Sequence, residues 1–102
     1  NLTGVNVHNA NFIQADLTGA SFRGVDLSAT TIDQANFEGA DLTGADFSGL
    51  VFRGVNLSQA NLTDADLSGA YMSQARLRNA NFAGAKLAKA KLFPLILQKL
   101  NI

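Results

Sequence analysis

One five-residue phrase occurs three times in succession in Ala35-Asn36-Phe37-Glu38-Gly39-Ala40-Asp41-Leu42-Thr43-Gly44-Ala45-Asp46-Phe47-Ser48-Gly49. Each copy reads as a small residue, Asp or Asn, Leu or Phe, a polar residue and Gly. The Leu or Phe position, which we call the centre, recurs nineteen times in one register from Leu2 to Leu92. A short fixed period over most of a chain indicates a repeat architecture in which each repeat packs on its neighbours.

An α-helix does not fit this period. At about 100° per residue, a centre and the small residue two positions before it would lie about 200° apart. An extended segment places those two residues on one side, but an odd-length repeat would flip each successive pair unless the chain turned once per repeat. Gly supplies the turn in many copies, and Asn or Asp replaces it in others, as at Asn9 and Asp64. The pattern predicts a polygonal coil with its apolar pairs facing inward.

The length of the chain indicates one domain, and its charged residues are unevenly distributed along the sequence. The 102 residues contain no cysteine, which excludes disulfides and thiolate metal sites and leaves the cellular compartment undetermined. All eight acidic residues precede residue 70, opposed only by Arg23 and Arg53, so that part carries a charge of −6. From Arg76 onward six basic residues and no acid give +6. The charge is therefore strongly asymmetric along the sequence.

The phrase closely resembles the A(D/N)LXX signature of the pentapeptide-repeat proteins over residues 1–92. The resemblance implies an all-β fold, a right-handed quadrilateral β-helix (solenoid) with four repeats per coil and four to five coils. Residues 93–102 break the period at Pro94, and we expect them to form a short hydrophobic C-terminal cap, for which helical spacing favours a short helix, or a dimerisation tail. The candidate cap or dimer residues are Leu92, Phe93, Ile96, Leu97 and Leu100.

Twenty residues per coil would place every twentieth residue in one column. One column then contains an acidic stripe of Asp26, Asp46 and Asp66. These carboxylates are expected to bond to backbone N–H groups at the turns, which is the usual role of Asp beside a turn. The alternative is an anionic surface that mimics nucleic-acid phosphates or attracts a basic partner.

Another face, centred on Phe12, Ile32, Phe52, Met72 and Leu92, departs from the phrase, and we call it the irregular face. Its inward small positions include Thr30 and Leu50, and several outward positions are apolar or aromatic. A contiguous apolar strip of this kind is typical of a partner surface. The alternatives are scattered hydrophobic residues or a strip covered by the chain's own tail. The candidate partner residues are Ile13, Thr31, Val51, Tyr71 and Phe93.

The sequence contains no recognisable catalytic chemistry. His8 is the only histidine and has no neighbouring ligand for a metal, and the serines lack an adjacent base. The glycines follow the five-residue period and form no phosphate-binding loop. We therefore predict that the chain is not an enzyme and has no cofactor or metal.

Three functions are consistent with these features. The first is a non-catalytic interaction scaffold whose flat faces bind a protein partner, or a second copy through a terminal coil. The second, implied by the resemblance to quinolone-resistance relatives, is a DNA mimic acting on DNA gyrase or topoisomerase. The third is a rigid spacer within a larger protein. Binding of nucleic acid is not expected, and the longest apolar run is too short to cross a membrane, so no membrane partner is expected.

Overall fold

The computed structural model describes residues 1–72 and 74–91, and the predicted cap residues from Leu92 onward lie outside them. Within those ranges there is no helix and no strand longer than one residue. The β-structure consists of single parallel bridges that join residues twenty apart, such as Asp41 with Asn61. We therefore number the coils from this spacing as residues 1–20, 21–40, 41–60 and 61–80, with a fifth beginning at 81.

Most repeats end in a hydrogen-bonded turn, as the sequence predicted, although Val55 N–H does not bond to Phe52 C=O. The N–H of Ala45 donates to the C=O of Leu42 at 3.0 Å, and Gly44 between them has a φ of 68°. A positive φ at the third of four residues defines a type II turn, which Gly adopts without steric cost. The same conformation occurs without glycine at Asn9, Gln14, Gln34, Gln59, Asp64, Asn79 and Lys89.

A regular repeat pairs all of its backbone N–H groups, which explains why the phrase needs Asp or Asn before each centre. In the repeat from Asp41 to Ala45, three N–H groups donate to carbonyls 19 or 21 residues away in the chain, one donates within the turn, and one donates to the Asp41 side chain. The acceptors in chain order are the C=O of Ala20 (2.9 Å), the C=O of Asn61 (2.7 Å), Asp41 Oδ1 (3.1 Å), the C=O of Thr63 (2.8 Å) and the C=O of Leu42 (3.0 Å). A repeat that follows the phrase thus satisfies the general requirement that buried backbone donors be bonded.

The core is a narrow column of centres and small residues. The central Phe22, Phe37, Phe47 and Phe52 are buried, and Ala35, Ala45 and Ala65 pack among them. No two of these Phe residues are twenty apart, so their rings meet across corners rather than directly above one another. The ring centroids of Phe22 and Phe37 are 5.7 Å apart, and those of Phe37 and Phe47 are 6.1 Å apart, both with edge-to-face geometry. Such contacts are favourable beyond the area they bury.

Candidate interaction surface

The irregular face exposes two neighbouring apolar side chains. Val51 and Tyr71 are 42% and 52% exposed and are joined by a parallel bridge between successive coils. The column continues to Lys91 beyond Tyr71, and Thr31 occupies the same position one coil before Val51 and is also exposed. The structure therefore brings together three of the five predicted partner residues.

The remaining two predicted residues are placed differently. Ile13 is 48% exposed, but it follows its centre instead of preceding it. It therefore belongs to the column of Asp33 and Arg53, whose side chains form an ion pair at 3.3 Å. Phe93 lies outside the described residues. The exposed apolar pair consists of Val51 and Tyr71.

A shallow depression lies beside this pair. It has a volume of about 300 Å³ and is lined by Val51, Phe52, Arg53, Tyr71 and Gln74. Its walls thus combine apolar carbon with a guanidinium and a carboxamide. Partner sites on protein surfaces commonly have this mixture of an apolar centre and a polar rim.

The backbone ladder of the irregular face is interrupted between coils 2 and 3. The bond from Leu27 N–H to Asp46 C=O (2.8 Å) and the bond from Gln34 N–H to Arg53 C=O (2.7 Å) bracket the interruption. All residues between them are described, yet three bonds of the regular pattern are not formed there. The missing pairs are Ala29 N–H with Ser48 C=O, Val51 N–H with Thr30 C=O, and Ile32 N–H with Val51 C=O.

A second depression lies at two of these missing pairs, those of Val51 with Thr30 and with Ile32. It has a volume of about 240 Å³ and we call it the cleft; its lining residues are Thr30, Thr31, Ile32, Asp33, Gly49, Leu50 and Val51. The bridge that joins Val51 to Tyr71 has no counterpart between Thr31 and Val51. The two coils are therefore parted at this side.

Three departures from the phrase explain the parting. Ala29 occupies a turn position but does not have the positive φ of the neighbouring Gly24 and Gln34, because a left-handed conformation is costly for Ala. Thr30 donates its hydroxyl to the C=O of Leu27 at 2.7 Å. Leu50 occupies the inward column that has Ala at residues 10 and 70, and its larger side chain requires more space than Ala.

Of these three departures, Thr30 and Leu50 were predicted from the sequence, and Ala29 was not. The signal was present, because from Gly4 to Lys89 Ala29 is the one Ala at a turn position that otherwise holds Gly, Asn, Asp, Gln or Lys. Together the three substitutions alter one corner of coil 2 and the residue stacked below it in coil 3.

The carboxylates of the acidic stripe bond to backbone N–H groups at the turns. Asp26, Asp46 and Asp66 form successive bridges, and Oδ1 of each accepts the backbone N–H two residues later, at 2.9, 2.8 and 3.0 Å respectively. Hydrogen bonds from the hydroxyl and the backbone N–H of Ser28 hold the pKa of Asp26 below its usual value, and Ser68 acts in the same way on Asp66. These carboxylates therefore stabilise turns.

The charge asymmetry of the sequence is preserved on the surface. Arg23 pairs with Asp41 at 3.1 Å, and Arg53 pairs with Asp33. The other described arginines and lysines are exposed, and within the described ranges none lies within ion-pair distance of an acid. These cations are Arg76, Arg78, Lys86, Lys89 and Lys91. One end of the solenoid is thus basic.

Neither a metal cluster nor a membrane-spanning helix occurs in the described part of the chain. Across residues 1–72 and 74–91, no three His, Cys, Asp or Glu side chains are arranged to hold a metal ion. The same ranges contain no helix with the length and apolar character needed to cross a bilayer.

Comparison with known proteins identifies the family. The sequence matches the family described as "Pentapeptide repeats" in eight copies, over residues 1–39, 20–59 and 60–93. The chain belongs to the pentapeptide repeat family. The family membership supports the predicted right-handed quadrilateral β-helix. A comparison with curated protein sequences finds no match.

Solved pentapeptide repeat proteins have similar structures. One from the thylakoid lumen of Arabidopsis thaliana is 30% identical, with a TM-score of 0.61, over 79% of this chain and 62% of that one. Rfr23 from the cyanobacterium Cyanothece 51142 is 28% identical, with a TM-score of 0.66, over 87% of this chain and 57% of that one. HetL from Nostoc, described as involved in heterocyst differentiation regulation, is 28% identical, with a TM-score of 0.51, over 79% and 46%. This chain therefore spans about half to two thirds of the length of these proteins.

Proposed function

We propose that this pentapeptide repeat chain is a non-catalytic scaffold whose irregular face binds a protein partner. The observation that carries the proposal is the exposed pair of Val51 and Tyr71 in adjacent coils. Two other large hydrophobic side chains are exposed among the described residues, Val5 and Ile13. Both belong to coil 1, and neither is bridged to another exposed apolar residue.

The chemistry of the pair suits a protein interface. Tyrosine is enriched among residues that dominate binding energy, because it offers a large apolar area together with a hydroxyl group. The adjoining depression of about 300 Å³ would accept a side chain from the partner, and Arg53 and Gln74 would provide polar contacts at its edge. A flat solenoid face with one such pocket favours recognition of a partner over catalysis.

The proposal is tested by capture of partners with a variant that combines Val51→Lys and Tyr71→Lys. Both residues point outward, so the variant should keep the circular dichroism spectrum and the melting temperature of the wild type. The matched control combines Val5→Lys and Ile13→Lys, which adds the same charge at exposed apolar positions elsewhere. Crosslinking and mass spectrometry in extracts of the source organism would identify partners bound to each protein.

The proposal expects partners that bind the wild type and the control but not the variant. Equal capture of partners by the wild type, the variant and the control, all folded, would exclude the irregular face as the binding surface. Absence of any specific partner would favour the rigid spacer. The DNA mimic has less support, because the acidic stripe serves the turns and its column ends at Lys86, in the basic part of the solenoid.

A further inference from the structure

The cleft presents backbone hydrogen-bonding groups that lack their ladder partners. In a regular stack, the N–H of a centre points toward the next coil, and the N–H of the residue before the centre points toward the previous coil. One coil further along, the closed pattern is intact: Phe52 N–H donates to Tyr71 C=O and Tyr71 N–H donates to Leu50 C=O, both at 2.8 Å. At the cleft the equivalent donors are Ile32 N–H and Val51 N–H, and the equivalent acceptors are Val51 C=O and Thr30 C=O.

In the regular pattern these groups are donor and acceptor pairs, and at the cleft each pair is left without its bond. Each pair therefore needs a bridging group that can both accept and donate. A carboxylate offers no donor to a carbonyl, and an ammonium group offers no acceptor to an N–H. A carboxamide has a carbonyl oxygen and an NH₂ group side by side, so it can accept from Ile32 N–H and donate to Val51 C=O. Such a bridge would replace the two ladder partners that the parted coils do not supply.

The size and lining of the cleft suit a side chain more than a single water molecule. A water molecule occupies about 30 Å³ in the liquid, so a depression of 240 Å³ has space for several. Leu50, which is only partly buried, adds an apolar surface that would contact the methylene groups of an entering side chain. The chain already links coils 1 and 2 through carboxamides, since Gln14 Nε2 donates to Gln34 Oε1 at 2.9 Å.

We propose that the cleft binds the side-chain carboxamide of an Asn or Gln residue in an extended segment of the protein partner. This inference rests on the proposed function and specifies the partner's chemistry. Val51 lines both the cleft and the depression beside Tyr71. One extended segment could therefore insert its carboxamide into the cleft and place an apolar side chain against Val51 and Tyr71.

Peptide titration tests the specificity directly. The probe is a pentapeptide of valine and alanine with glutamine at its centre, acetylated at its N-terminus and carrying a methyl ester at its C-terminus, so that the glutamine side chain is its one primary carboxamide. The matched probes carry leucine, glutamate or lysine at that position and the same backbone. Binding is followed by the amide NMR signals of Ile32 and Val51, with Phe52 N–H, whose ladder bond is closed, as the internal reference. Two bridging hydrogen bonds predict that the glutamine peptide binds about tenfold or more tightly than the others.

A variant that restores the phrase provides the second test. Ala29→Gly, Thr30→Ala and Leu50→Ala together return the corner to the regular pattern and leave Val51 and Tyr71 in place. The cleft should close, so the preference for glutamine should disappear, and the Ile32 and Val51 amides should become protected from hydrogen exchange. In the wild type these two amides should exchange faster than those of Leu27 and Gln34, which bracket the cleft. Leu50→Ala alone serves if the triple variant does not fold.

The possible outcomes separate this inference from the proposed function. Equal binding of the glutamine and leucine peptides to the wild type would overturn the inference, as would a preference that survives closure of the cleft. Signals that do not shift with any peptide, together with rapid exchange at Ile32, would mean bridging water only and would also overturn it. If the triple variant captures the partner as well as the wild type while the Val51 and Tyr71 double variant does not, the scaffold function holds and the carboxamide site fails.

Discussion

Replacement of Phe37 by Ala tests how the column of rings stabilises the solenoid. Phe37 is fully buried, and its ring contacts Phe22 and Phe47 at centroid distances of 5.7 and 6.1 Å. Removing a buried Phe side chain typically costs about 3–5 kcal/mol in total, and the two edge-to-face contacts place Phe37 in the upper part of that range. The expected loss of about 4–5 kcal/mol is a large share of the whole stability of a small domain, about 5–15 kcal/mol.

Phe12 provides the matched control in coil 1. It is only half-buried, and it has one aromatic neighbour, Phe22, at 5.9 Å. Phe12→Ala should therefore cost about 2 kcal/mol, mostly from the apolar area it covers. The two variants remove the same atoms, so the difference between them measures burial and ring contacts.

Urea denaturation followed by circular dichroism gives the free energy of unfolding for each variant. Fluorescence provides a local probe of coil 4, because Tyr71 is the only tyrosine and the chain has no tryptophan. Coincident transitions would validate a two-state treatment, which repeat proteins do not always obey. Equal losses for Phe37→Ala and Phe12→Ala, or a larger loss for Phe12→Ala, would refute the view that the central rings dominate.

Two further predictions concern the turn carboxylates. Asp46→Ala should lower the free energy of unfolding by about 1 kcal/mol, because the N–H of Ser48 loses its acceptor. Asp46→Asn keeps that acceptor and should be close to neutral in urea denaturation, and an equal loss for both variants would contradict the assigned role. The free energy of unfolding should be constant near neutral pH and should fall as the pH drops through and below 3.8, the unperturbed pKa of an Asp carboxyl group. The reason is that a carboxyl group whose pKa is lower in the folded state stabilises that state only while it is ionised. Thermal melts from pH 6 to pH 2 would show this, and stability that rises on acidification would contradict it; the carboxyl groups concerned are Asp16, Asp26, Asp41 and Asp66.

The turns and the inward pairs could be predicted because their causes are local. Gly44 adopts a positive φ and Asp46 accepts the N–H of Ser48 through atoms only a few residues apart in the chain. The position of Ile13 was harder to assign, since its apolar character matched Val51 but its offset from the centre placed it in another column. Residue type alone therefore indicated an apolar strip, and register decided which side chains adjoin.

The amino-acid sequence by itself determined a solenoid of five-residue repeats, since the period excludes a helix and requires a turn in every copy. The parted corner was decided by the tertiary structure. Ala29 and Thr30 alter one turn, Leu50 alters the residue stacked beneath it, and the outcome depends on how these side chains share one small space between coils. The core could have accommodated the larger side chain of Leu50, but instead the backbone hydrogen bond between Ile32 and Val51 is not formed. Packing between residues twenty apart is a property of the assembled coil, and it produced the cleft that we propose as a binding site.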